Sequence, residues 1–104
     1  MAAKYKLDWT DLAFEALEEI YEFITEQAQS EAPAKKVVKR IFKSTDILKT
    51  NPLSFQEEPF LKEKGMSARF LVVGMYKIIY VIKGKNVIIT DVFNCHQHPS
   101  EINK

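Results

Sequence analysis

The chain has 104 residues, 46% hydrophobic and 28% charged, with a formal net charge of +1. That is the composition of one compact globular domain with one core, too small for a second unit. The net charge gives no overall bias toward nucleic acid, although an average conceals segregated charge. The single cysteine, Cys95, excludes an intramolecular disulfide framework, and the apolar run Ile78 to Ile82 falls far short of a membrane span. With no arginine-rich or apolar leader before Tyr5, the expectation is a soluble, cytoplasmic protein comprising a single domain over residues 1–104.

Tyr5, Leu7 and Trp9 alternate with Lys6 and Asp8, which is the period of a half-buried edge strand. Thr10 and Asp11 then supply an N-cap and an acidic first turn. The helix they start carries Leu12, Ala13, Ala16, Leu17, Ile20, Phe23, Ile24 and Ala28 at helical spacing and runs to about Gln29. Ser30 is expected to cap a second helix, with Pro33 in its first turn and a stripe of Val37, Val38, Ile41, Phe42, Thr45 and Leu48. Asn51 and Pro52 stop it, and the short link between the helices implies an antiparallel hairpin.

The polar faces of the two helices differ in sign. Between Thr10 and Gln29 stand six acids and no base, and between Ala34 and Lys49 six bases and one acid, net charges of −6 and +5. The spacing fits two solvated faces attracting each other across the hairpin; a phosphate-binding second helix is the sharper alternative. Residues 51–67 have no sustained period and are expected to form a long loop pinned by Phe55 and Phe60.

Arg69 to Val73, Tyr76 to Lys83 and Val87 to Asn94 then read as three meandering antiparallel strands, turned at Gly74 and at Gly84-Lys85-Asn86. The middle strand is apolar on both faces except for Lys77. Arg69 and Lys77, on adjacent strands near the Gly74 turn, are read as two cations on one face, the alternative being a pair of snorkelling side chains. Cys95-His96-Gln97-His98 closes the sheet. It lacks the ligand number of a structural zinc site, so no metal and no cofactor is implied. His96 and His98 suit acid–base or phosphate-contacting roles, the alternative being solvated histidines in a tail.

The order strand, helix, helix, loop, three-strand meander meets specific strings in this sequence. Trp9-Thr10-Asp11-Leu12-Ala13, Arg69-Phe70-Leu71-Val72-Val73, Tyr76-Lys77-Ile78-Ile79-Tyr80 and Val92-Phe93-Asn94-Cys95-His96-Gln97-His98-Pro99 resemble the RelE/ParE superfamily of bacterial toxins over nearly the whole chain. The resemblance implies an α+β fold, a two-helix hairpin on a four-stranded antiparallel sheet in the order β-α-α-β-β-β. It also implies the toxin of a type II toxin–antitoxin, or plasmid stabilization, module, partnered by a cognate antitoxin, as a homodimer or a toxin–antitoxin hetero-oligomer.

Two mechanisms exist in that superfamily. RelE-like members cleave mRNA on the ribosome with a set of converging cations; ParE-like members inhibit DNA gyrase by binding. Carried over by position, Arg69, Lys77, His96, Gln97 and His98 are the expected target-binding residues. Arg69, Lys77, His96 and His98 are the candidates for catalysis in a ribonuclease. Leu71 and Val73 stand where RNA-cleaving members keep further basic residues, and the tail after Pro99 lacks their late aromatic. The expectation is therefore a ParE-like toxin that acts by binding, with RelE-like mRNA cleavage as the alternative.

Overall fold

The computed structural model describes residues 4–65 and 67–95, with Phe60 described by its backbone alone. Strand β1 (Lys6–Trp9) leads into α1 (Asp11–Ala28) and α2 (Ala32–Ser44), which continues as a 3-10 turn over Thr45–Lys49. A second 3-10 turn (Pro52–Ser54) and a short helix α3 (Pro59–Glu63) precede β2 (Arg69–Val73), β3 (Tyr76–Lys83) and β4 (Asn86–Asn94).

Local signals set most of these bounds. Thr10 caps α1 by accepting the Ala13 N–H at 3.1 Å, satisfying one of the donors a helix start leaves unpaired. Gln29 ends it in the left-handed region at φ 55. The cap of α2 differs from expectation: Glu31, not Ser30, occupies the N-cap position without a side-chain bond, while Ser30 Oγ accepts the Ala32 N–H at 3.3 Å. Pro33 sits in the first turn, where its missing N–H costs nothing.

The sheet has the order β1-β4-β3-β2, and it is mixed rather than wholly antiparallel. The meander β2-β3-β4 is antiparallel as expected, but β1 runs parallel to β4, Leu7 beside Val87 and Trp9 beside Ile89. Alternation along a strand carries no direction. The helical hairpin between β1 and the meander is the long crossover that a parallel neighbour requires.

Helices α1 and α2 lie on one face of the sheet. Ala13, Leu17, Ile41 and Leu48 pack there against Val73, Ile78, Tyr80, Val87, Ile89 and Val92. A β-bulge in β4 lets both Ile89 and Val92 reach this face, because Ile79 pairs with Asp91 while Tyr80 pairs with Ile89 and Thr90 is skipped. Asp91, Val92 and Phe93 are consequently buried in succession.

Residues 51–67 form more than a loop. Glu58 N–H donates to Ala68 O (2.8 Å) and Phe70 N–H to Gln56 O (3.0 Å), so this segment pairs along the outer edge of β2. Leu61 of α3 then packs with Ala68, Phe70, Ile79, Val81 and Phe93 on the face away from the hairpin. Phe55, one of the two expected pins, does reach the main core; the Phe60 side chain lies outside the described residues.

Tyr80, fully buried at the centre, donates its hydroxyl to Pro52 O at 2.5 Å. Burial pushes its pKa up from 10.0 to about 12, partly opposed by the Arg69 guanidinium. A folded pKa above the unfolded one means the contribution is complete below pH 10 and is lost as pH rises toward 12. Tyr80→Phe is expected to lower unfolding free energy by about 1 kcal/mol at neutral pH. In urea titrations between pH 10 and 12, the variant should lose less stability than the wild type.

Candidate functional site

The meander positions two of the five expected target-binding residues, and it separates them. Arg69 is opposite Tyr80 and shares the helix-facing side with Leu71 and Val73; Lys77 is opposite Val72 and lies on the other side. Two cations on one face are therefore not formed. The two-residue Gly74-Met75 turn dictates this, since it pairs Val73 with Tyr76 and fixes the register from there. Gly74 adopts φ +60, which the turn needs.

Each cation is engaged within the chain. Arg69 Nη1 donates to Phe55 O at 2.6 Å, tying the start of β2 to the segment beneath the hairpin. Lys77 Nζ donates to Glu58 Oε1 at 2.5 Å and lies 4.1 Å from the centroid of the Phe70 ring. The Glu58 side chain is 1% exposed and that of Lys77 20%, so this is a nearly dry pair. Glu58 also accepts from the Leu61 N–H at 3.4 Å, joining the pair to α3.

The other positions on the Lys77 face of β2 are Phe70 and Val72. Leu71 and Val73, expected to mark missing cations at the site, are core residues under the helices instead. The consequence for charge is the same, for a different reason: the residues of β2 that share the Lys77 face are also apolar.

His96, Gln97 and His98 lie outside the described residues. The described chain ends at exposed Cys95, whose N–H donates to Met75 O at 2.7 Å beside the β2–β3 turn.

Around that turn the surface is apolar. Phe23 is 62% exposed, Val72 52% and Met75 50%. A groove of about 490 Å3 runs between α1 and the ends of β3 and β4, lined by Ala16, Glu19, Ile20, Phe23, Tyr76, Val92, Phe93 and Asn94. A second groove of about 400 Å3 lies on the other side of Tyr76, bounded by Ile24, Val37, Ile41 and Met75. Arg40 rims it and reaches the turn; a Cβ on Gly74 would meet its Nη1 at 3.4 Å. Partial burial here raises the Tyr76 pKa above 10.0. Glu58 and Met75 were not singled out by the sequence, and Phe23 was read only as part of the α1 apolar stripe, not as an exposed surface residue. Phe23 carried the one available signal, a large aromatic at the margin of the α1 apolar stripe.

Breaking the buried pair should be costly, because a carboxylate that has lost its ammonium partner stays in a dry site. Lys77→Met is expected to destabilise by about 2 kcal/mol, discounted for the partial exposure of the lysine. A double-mutant cycle with Glu58→Gln should give a coupling of at least about 1 kcal/mol in urea unfolding.

A family model described as the ParE toxin of type II toxin-antitoxin system, parDE, matches residues 7–99. Among solved structures, the chain is similar to one titled chromosomal ParDE TA system from P. aeruginosa. The TM-score is 0.75 at 20% sequence identity, covering 89% of this chain and 98% of that one. At that identity the likeness concerns the fold. A search of curated proteins finds no match. With the family match running from β1 through β4 and beyond, the RelE/ParE resemblance holds, and the chain belongs to the ParE toxin family of type II toxin–antitoxin systems.

Proposed function

We propose that this chain arrests growth by binding a protein target, DNA gyrase, and that a cognate antitoxin silences it in the cytoplasm by occupying the toxin surface. One observation carries the choice of binding over RNA cleavage. The sheet face that holds Lys77 offers Phe70 and Val72 beside an ammonium already paired with Glu58, while Arg69 lies on the opposite face. In-line cleavage of RNA rests on several cations converging on one phosphate. A surface of Phe23, Met75 and Tyr76 beside the β2–β3 turn suits a protein partner instead.

His96, Gln97 and His98 belong to this proposal as target contacts, since Cys95 leaves the sheet beside the same apolar surface. No described helix is long and apolar enough to cross a membrane.

Two measurements test the proposal. Purified full-length chain should inhibit gyrase supercoiling and leave ribosome-bound mRNA intact; codon-positioned cleavage abolished by His96→Ala would establish the RelE-like alternative. Induction in a bacterial host should stop growth. Phe23→Glu is expected to relieve that arrest by tenfold or more in viable counts, with its circular dichroism unchanged.

A further inference from the structure

The outer face of the helical hairpin is striped by charge, with an apolar seam between the stripes. At 100° per residue, Asp11, Glu15, Glu18, Glu19, Glu22 and Glu26 all fall within an arc of about 100° on α1, opposite its buried side. Lys35, Lys36, Lys39 and Lys43 of α2 fall on the corresponding outward arc, opposite Ala34 and Ile41, while Arg40 reaches the β2–β3 turn. Between them lies a groove of about 260 Å3 lined by Phe14, Leu17, Glu18, Tyr21, Val38 and Phe42. Phe14 is 44% exposed and Phe42 39%, and both rings contact Trp9, at centroid distances of 5.7 and 4.8 Å.

The stripes do not discharge each other within the chain. Among the described residues no ion pair joins α1 to α2; the pairs present are Lys49–Asp46, Lys62–Glu57 and Lys77–Glu58. The seam is thus left half-exposed between two unpaired stripes of opposite sign.

We propose that this face is a self-complementary interface on which a second copy of the chain docks. A two-fold axis running along the seam sets α1 of each copy over α2 of the other, so each acidic stripe meets a basic one. An axis across the seam would set acid on acid, which excludes it.

The register follows from the hairpin. Phe14 lies beside Phe42, their ring centroids 6.2 Å apart, and rotation about an axis parallel to the helices preserves that level. Glu18 then faces the partner's Lys39, Glu22 the partner's Lys35, and Glu15 the partner's Lys43. The two seams close over each other through Phe14 and Phe42.

The size of the face sets the strength. An α1 of 18 residues is about 27 Å long and two adjacent helices are about 20 Å wide, so roughly 1,000 Å2 is buried in total, the lower limit of a specific interface. The dimer is accordingly weak, in the micromolar range. Its dependence on exposed charge makes it salt-sensitive.

Sedimentation equilibrium of the full chain tests this. The wild type should dimerise at about 50 mM salt and weaken at least about tenfold at 500 mM. Glu18→Lys and Lys39→Glu should each weaken it about tenfold or more. The double variant E18K/K39E, which keeps the net charge at +1, should recover the wild-type constant, because each reversed charge again faces its opposite across the axis. A wild type that stays monomeric at low salt, or a double variant no better than the singles, would overturn the proposal. So would a monomer that retards duplex DNA through Lys35 and Lys39, which would assign the basic stripe to phosphates.

Discussion

Strand β3 has packed layers on both faces, and this constraint decides what its polar side chains can do. On one side Ile78 and Tyr80 lie under the helical hairpin, and on the other Ile79 and Val81 lie under α3 and its flanking segment. A polar group in such a position is cut off from water and must be satisfied within the chain. The Tyr80 hydroxyl finds Pro52 O, and the Lys77 ammonium finds Glu58. Both partners come from residues 51–67, which makes that segment a structural layer. Without it, the second face of the sheet would be open and Lys77 would be free.

The same constraint bears on function. A basic sheet face is the simplest way to hold RNA, and such a face needs exposed cations. Here the second layer engages Lys77, while the register turns Arg69 toward the hairpin. What remains exposed around the β2–β3 turn is aromatic, aliphatic and sulfur surface, rimmed by the single guanidinium of Arg40. Such a surface gains most by losing water to another protein.

Much of this fold was legible because its signals are local. Thr10 before an apolar helical stripe, Pro33 in a first turn and glycines at two tight turns each act over a few residues. The parallel partner of β1 was not legible, since Leu7 and Val87 are brought together only by tertiary closure. Nor was the cap of α2, where Ser30 and Glu31 compete within a single turn. The separation of Arg69 from Lys77 was within reach: a two-residue turn at Gly74-Met75 already implies that Val72, not Arg69, accompanies Lys77. The role of Glu58 was not, because no periodicity in residues 51–67 distinguishes it from Glu57, which pairs in the open with Lys62.

The pairing of β1 with β4 has a consequence for synthesis. Strand β1 waits longest for its neighbour, because residues 86–89 leave the ribosome some eighty residues after Lys6–Trp9. Contacts of such sequence separation carry a large loop-closure cost and form late. A partly translated chain therefore has neither a closed sheet nor the groove built from α1 and the ends of β3 and β4. The surface proposed to be harmful comes into being only once β4 has been made, which leaves the interval of its translation for a silencing partner to be at hand.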